Sequence, residues 1–180
     1  MHNFVKTLFS VLLLFFCSVL TAQNRMNDAR DPNRIWLDSE VTHQWKMMKA
    51  GDTTDPGEKI SSSDYPTEKW LPAIVPGTVL NSLVYNQKYP EPYYGVNNKI
   101  ESKLIPDISQ VGRDFYTYWF RTEFDVPENY KDKIVWLQVD GINYRAEIWV
   151  NGYLLGNMSG MFKPEYINIT DFARIGQKNA

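Results

Sequence analysis

Apolar and polar residues alternate along several short stretches in the second half of the chain. The clearest stretch is residues 116–126, where Phe120 and Phe124 fall on one side and Arg121 and Glu123 fall on the other. A period of two residues is typical of an antiparallel strand with one buried face. This pattern therefore predicts a half-buried strand over residues 116–126.

Three further stretches predict strands, and one of them is followed by a strong turn signal. The same alternation marks residues 135–139, 145–150 and 166–169. The dipeptide Asn151-Gly152 follows the second of these directly, and both of its positions tolerate the positive φ of a tight turn. We expect a hairpin here, with residues 153–155 as its return strand.

Only one segment has a good helical period. Residues 78–85 place apolar side chains on one helical face, and Thr78 stands where an N-cap is expected. Residues 50–67 are rich in glycine, proline and serine, which predicts a mobile loop. The whole pattern predicts an all-β fold, an antiparallel β-sandwich with at most one or two short helices.

The first 22 residues have the features of an export signal. Lys6 precedes the apolar run of residues 8–20, and small residues end the segment at Ala22. The run is shorter than the roughly 20 residues that span a bilayer. We therefore expect cleavage near Ala22, no stable membrane insertion after cleavage, and a secreted or periplasmic protein.

The remaining chain predicts a flexible lead-in over residues 23–34 and one domain over residues 35–180. Lys and Arg number 19 against 21 Asp and Glu, so charge gives no reason to expect nucleic-acid binding. Aromatic residues make up 14% of the chain. That content suits either a β-rich core or a surface on which sugars stack.

The residue types exclude several kinds of catalytic site. His43 is the only histidine beyond the predicted cleavage point and Cys17 is the only cysteine, so a zinc site made from histidine and cysteine cannot form after cleavage. No phosphate-binding or dinucleotide-binding glycine motif occurs, and we expect no cofactor. Glu123 and Glu147 stand beside arginines on predicted polar faces, where solvated charge is their usual role.

Residues 89–98 carry the most informative combination of side chains. Two prolines and Gly95 favour a stiff, sharply turned loop, while Tyr94, Asn97 and Asn98 offer a ring face and amide groups. Sugar hydroxyls are bound by this combination of groups. On residue types alone, the tyrosines could equally cover one end of the sandwich while the asparagines cap turns.

Several ordered motifs resemble the N-terminal sugar-binding domain of glycoside hydrolase family 2. They are VPGTV at 75–79, PYYGVN at 92–97, YWFRTEF at 118–124, DGINYRAEIWVNG at 140–152, and LG with GMF at 155–162. The second motif makes the exo-β-glucosaminidase and β-mannosidase branch a better match than the β-galactosidases. The resemblance covers residues 70–176.

The resemblance implies a galactose-binding-like jelly roll that packs against a catalytic TIM barrel in a longer parent protein. The family's catalytic glutamates belong to that barrel, so no residue of this chain inherits a catalytic role, and the chain alone is expected to be inactive. The family's last-strand motif begins at Gly176 and stops soon after it, so we also expect the domain to lack its last strand or strands.

The same resemblance assigns substrate-binding residues. Asn97 is the best candidate for contact with the terminal sugar of a β-linked carbohydrate, with Tyr94 and Asn98 behind it. Tyr93, Phe162 and Trp70 are expected to hold the loop. Two alternatives stay open from the sequence: a free-standing carbohydrate-binding module, and a β-sandwich adhesion module that binds no sugar.

Overall fold

The computed structural model describes residues 33–39 and 44–180. The predicted signal at residues 1–22, most of the predicted lead-in and His43 lie outside these residues. Contacts divide the chain into the units Met1–Ile35 and Trp36–Ala180, and all elements below belong to the second unit.

The described residues form nine short strands and three short α-helices. The strands are β1 Lys46–Lys49, β2 Leu71–Pro72, β3 Tyr118–Arg121, β4 Phe124–Asp125, β5 Trp136–Val139, β6 Arg145–Val150, β7 Tyr153–Ser159, β8 Glu165–Asn168 and β9 Lys178–Asn179. The helices are α1 Gly57–Ile60, α2 Val79–Tyr85 and α3 Ile108–Val111. Single 3₁₀ turns occupy Ala50–Asp52, Ile100–Ser102, Arg113–Tyr116 and Glu128–Tyr130. None of the helices in this part of the chain is long and apolar enough to cross a membrane.

All of the strand pairings are antiparallel, which confirms the predicted all-β class. β1 lies between β2 and β3, while β4 pairs with β9, β5 with β8, and β6 with β7. The helices exceed the predicted number by one, but α1 and α3 are only four residues long each. The fold is thus dominated by short antiparallel strands.

The hairpin and helix predictions are confirmed. Asn151 and Gly152 have φ of 51° and 92°, and they connect β6 to β7. The return strand extends to Ser159 because its pairing with β6 continues through a bulge at Ile148. Thr78 caps α2 by accepting a hydrogen bond from the backbone N–H of Asn81 at 3.0 Å.

The long strand predicted over residues 116–126 is wrong in detail. Its first residue belongs to a 3₁₀ turn, and the strand is interrupted between β3 and β4. Tyr118 and Phe120 pack against the cluster of Met47, Ala73 and Leu83, as their alternation predicts. Arg121, on the predicted polar face, is only 7% exposed because the segment after α1 covers it.

Residues 50–67 form more structure than their composition predicts. They contain the first 3₁₀ turn and α1, and Ile60 is almost fully buried. Gly57 begins α1 against the Trp149 indole, where a β-carbon would lie only 2.4 Å from the ring. Close contact at this one glycine therefore positions the segment beside the β6–β7 hairpin.

The residues after Gly176 form a strand, which the sequence pattern did not predict. β9 pairs with β4, and the Asn179 side chain is fully buried. Its Oδ1 accepts hydrogen bonds from Asn151 Nδ2 and the Arg174 N–H, both at 2.7 Å. Its Nδ2 donates to the carbonyls of Arg174 and Gln177 at 3.0 and 2.8 Å. Every polar atom of this side chain is thus satisfied.

Candidate functional site

The candidate loop belongs to the long connection between α2 and β3, and contacts on both sides of it tie this connection down. Tyr89 packs against the core cluster before the loop, and Ile105 is buried after it. The Tyr116 hydroxyl donates to the carbonyl of Pro106 at 2.5 Å, and partial burial raises the Tyr116 pKa. The intervening residues therefore project from anchored ends.

Two consecutive turns shape the loop between these ends. The Tyr94 N–H donates to the Glu91 carbonyl and the Asn97 N–H donates to the Tyr94 carbonyl, both at 3.2 Å. Gly95 has a φ of 58°, which a residue with a β-carbon rarely adopts. The predicted sharp turn is present, and it brings the three candidate residues onto one short segment.

Asn97 is the best fixed of the three candidates. Its Nδ2 donates to the Glu91 carbonyl at 2.9 Å, and the Ser102 Oγ lies 3.1 Å from its backbone carbonyl. The amide thus caps the loop, as the structural alternative proposed. Its Oδ1 accepts no hydrogen bond from any described residue, and the residue is only partly buried, so this oxygen remains available to a ligand.

Tyr94 and Asn98 lie on the exposed side of the same segment. The Tyr94 side chain is 77% exposed, and Asn98 is also exposed. Within the described ranges, neither side chain forms a hydrogen bond. The loop tip therefore carries a phenol ring and two amides, and some of their polar groups form no hydrogen bond to the described residues.

The residues expected to hold the loop do not behave alike. Trp70 is buried and lies edge-on to Tyr65, with ring centroids 5.9 Å apart. Tyr93 and Phe162 are more than nine-tenths exposed, so the expectation that their rings support the loop is wrong. The prolines and tyrosines of this loop follow no regular alternation, so the sequence does not indicate which of the side chains are buried.

The candidate carboxylates have internal partners. Glu123 Oε1 accepts from Arg121 Nη2 at 2.7 Å, and Glu147 Oε2 accepts from Trp149 Nε1 at 3.1 Å. Partial burial alone would raise the Glu123 pKa, but hydrogen bonds and charge from Arg121, with Lys178 nearby, hold it below its usual value. Glu123 is therefore an ionised partner of Arg121, which is more than the solvated role that the sequence predicts.

An open cleft lies apart from the three candidate residues. Lys49, Gly51, Asp114, Phe115 and Thr117 are among the residues that line this open cleft of about 470 Å³. The Lys49 Nζ sits 4.3 Å from the centre of the Phe115 ring, so this cation occupies one face of the ring. None of the three candidate residues lines the cleft.

Metal ligation receives no support from the described part of the chain. Across residues 33–39 and 44–180, no three or more histidine, cysteine, aspartate or glutamate side chains are grouped so as to hold a metal ion.

Comparison with known proteins defines the class of this domain. Residues 45–180 match the family of glycosyl hydrolase 2 galactose-binding domain-like sequences. This match covers most of the chain. The chain therefore belongs to the galactose-binding-like domains of glycoside hydrolase family 2.

Relatives of known activity include two glycosidases. A mannosylglycoprotein endo-beta-mannosidase of Lilium longiflorum is 40% identical over 138 residues, which are 75% of this chain and 14% of that protein. An exo-beta-D-glucosaminidase of Streptomyces avermitilis is 27% identical over 136 residues, which are 73% of this chain and 14% of that protein. The chain thus spans about a seventh of the length of either relative.

A solved structure agrees on the fold. The exo-chitosanase of Amycolatopsis orientalis superimposes with a TM-score of 0.62 and 23% identity, over 76% of this chain and 15% of that enzyme. At this level of identity the likeness is one of fold. It supports the galactose-binding-like architecture expected from the sequence motifs.

Proposed function

We propose that this chain is the N-terminal carbohydrate-binding domain of a secreted exo-β-glucosaminidase or β-mannosidase whose catalytic barrel lies in a longer polypeptide. The observation that carries the proposal is the match over residues 45–180 to a domain that forms about a seventh of two glycosidases. In this proposal residues 1–22 are the export signal, residues 35–180 are the domain, and the strands follow a jelly-roll order.

The candidate loop gives the proposed domain a way to contact substrate. Asn97 supplies an amide oxygen on an anchored turn, while Tyr94 and Asn98 supply an exposed ring and a second amide. We propose that these groups contact the terminal residue of a β-linked saccharide beside the barrel's mouth. A hydroxyl-rich ligand suits them because each amide can both donate and accept.

The connection that carries the loop also has the surface expected of a domain interface. Apolar side chains are exposed along it at Tyr93, Tyr94, Val96, Ile100, Leu104, Ile108 and Val111. Exposed apolar side chains clustered on one segment are typical of interaction sites. This surface supports the proposal that the connection packs against the barrel of the parent.

An activity assay tests the proposal that catalysis requires the barrel and that this domain alone is inactive. We expect the longer polypeptide to hydrolyse p-nitrophenyl β-glucosaminide or β-mannoside, and the chain Met1–Ala180 to show no turnover of any aryl β-glycoside above background. The reason is that the family's acid/base and nucleophile glutamates both belong to the barrel.

The measurement is p-nitrophenol release by both proteins at equal concentration. Turnover by Met1–Ala180 that survives repurification and disappears in Glu123→Gln or Glu147→Gln would contradict the proposal. Circular dichroism of each variant provides the control for folding.

A further inference from the structure

The outward face of the β5–β8 pair carries an arrangement that the proposed loop site does not use. In this pair Trp136 lies opposite Asn168, and Gln138 lies opposite Tyr166. Residues opposite each other in a strand pair share a face, as do residues two apart along a strand. The four side chains therefore form one surface with an aromatic and an amide residue on each strand.

This surface is open to solvent while the opposite side of the strands faces inward. Trp136 and Tyr166 are 56% and 59% exposed, and Gln138 and Asn168 are exposed as well. Leu137 and the other residues of opposite parity are partly covered. The two rings are diagonal neighbours, which places their attachment points about 7–8 Å apart.

Internal hydrogen bonds orient the two amides. Asn168 Oδ1 accepts from the Thr170 N–H at 3.0 Å and from Thr170 Oγ1 at 2.7 Å, which leaves its Nδ2 pointing away as a donor. Gln138 Nε2 donates to Asp140 Oδ1 at 2.6 Å, which leaves its Oε1 as an acceptor. The face thus presents one donor and one acceptor in fixed positions.

The two aromatic residues add an indole N–H and a hydroxyl to the same face. Neither the Trp136 indole N–H nor the Tyr166 hydroxyl has a hydrogen-bond partner among residues 33–39 and 44–180. No lysine or arginine belongs to the four-residue face, so nothing in it attracts phosphate. Aliphatic side chains, which would suit a protein partner, are also absent from these four positions.

We propose that this four-residue face is a second saccharide-binding site, which takes a β-linked oligosaccharide along the outside of the β5–β8 pair. The rings cover the apolar faces of two sugar units, because burial of flat aromatic surface is favourable and directional. The oriented amides and the indole N–H exchange hydrogen bonds with the hydroxyls. The face is separate in sequence and element from the Asn97 loop, so its test is independent of that loop, while the choice of a β-linked saccharide rests on the proposed function.

The experiment titrates the ¹⁵N-labelled chain Met1–Ala180 with chitohexaose, mannohexaose and cellohexaose in turn, and follows the tryptophan indole N–H signals by NMR. The Trp136 signal is assigned by its loss in Trp136→Phe. We expect at least one hexasaccharide to shift the Trp136 signal. Trp136→Ala and Tyr166→Ala should each weaken binding about tenfold or more.

Two matched variants sharpen the assignment. Asn168→Asp keeps the acceptor for Thr170 but replaces the outward donor with an acceptor, so we expect weaker binding without loss of folding. Tyr85→Ala removes an aromatic side chain of similar exposure from α2, and it should bind the hexasaccharide as the unmodified chain does.

Several results would overturn the inference. They are binding that leaves the Trp136 indole unmoved, unchanged affinity in both aromatic variants, or no binding of any of the three sugars at millimolar concentration. A concentration-dependent dimer that Trp136→Ala dissolves, without any sugar binding, would show instead that the face is a protein interface. Near-ultraviolet circular dichroism confirms that each variant keeps its tertiary structure.

Discussion

Arg121→Met is expected to cost about 3 kcal/mol of the free energy of unfolding, because breaking a buried ion pair leaves its partners unsatisfied. Arg121 Nε donates to the Ile60 carbonyl at 2.9 Å, and Nη2 donates to the Ser62 carbonyl at 2.8 Å and to Glu123 at 2.7 Å. Methionine fills a similar volume but donates nothing. Glu123 keeps Lys178 and some exposure to water, which limits the loss.

Urea unfolding of Met1–Ala180 measures this effect. Arg145→Met is the matched control, because Arg145 is exposed on β6, and its replacement should change stability by no more than about 0.5 kcal/mol. Adding Glu123→Gln to Arg121→Met should restore part of the loss, because without Arg121 the partly buried carboxylate keeps only the exposed Lys178 and the Asp64 N–H as partners. Equal effects of Arg121→Met and Arg145→Met would show that the Arg121 contacts contribute little.

Asn179→Ala is the second substitution with a large expected effect. It leaves Asn151 Nδ2, the Arg174 N–H and two carbonyls without the partners that the buried amide supplies. Unsatisfied buried polar groups cost about 1–3 kcal/mol each, but they relax together, so we expect a total loss of about 3 kcal/mol. Gln177→Ala changes only an exposed side chain nearby and should be close to neutral.

Asn151→Gly tests the other half of this network. Glycine accepts the positive φ of the turn, so the variant removes the amide without straining the backbone. It loses the hydrogen bonds to the Phe172 carbonyl and to Asn179, and the one from the Ala180 N–H. If the two asparagines act as a unit, the double variant will lose clearly less than the sum of the single losses. Full additivity, measured by urea unfolding, would contradict a coupled network.

Local signals made some elements predictable from the sequence. Thr78 caps α2 and Asn151-Gly152 turns the β6–β7 hairpin, because these residue types favour those conformations through contacts with their nearest neighbours. The alternation in residues 135–139 correctly separates Val135 from the exposed Trp136. In each case the information lies within a few residues of the element.

The failures arise where distant segments decide the outcome. Alternation places Arg121 on a polar face, yet residues 60–62 cover it and accept its hydrogen bonds. The serine and glycine content around α1 predicts a loop and not a helix. The position of α1 depends on the Trp149 ring, almost a hundred residues later in the chain. The resemblance gives Tyr93 a supporting role, but the structure leaves its ring exposed. None of these contacts produces a local period.

The candidate site was predictable as a loop but not in its detail. Proline, Gly95 and the two amides indicate a sharp polar turn, and the structure contains one. The sequence left open whether Asn97 caps that turn or contacts a ligand. The structure shows that the Asn97 Nδ2 caps the turn, and we propose that the Asn97 Oδ1 contacts the ligand.

The kcat/KM of Asn97→Ala in the longer polypeptide, with p-nitrophenyl β-glucosaminide or β-mannoside as substrate, tests the central claim most directly. Removal of one ligand hydrogen bond costs about 0.5–1.5 kcal/mol, and more if the bond tightens in the transition state, so we expect kcat/KM to fall about tenfold or more. Ser102→Ala loosens the same turn without touching the amide and should retain kcat/KM within about twofold. The melting temperature of both variants should change little. A variant Asn97→Ala that melts early and keeps its specific activity would contradict the account, because the asparagine would then serve only the turn.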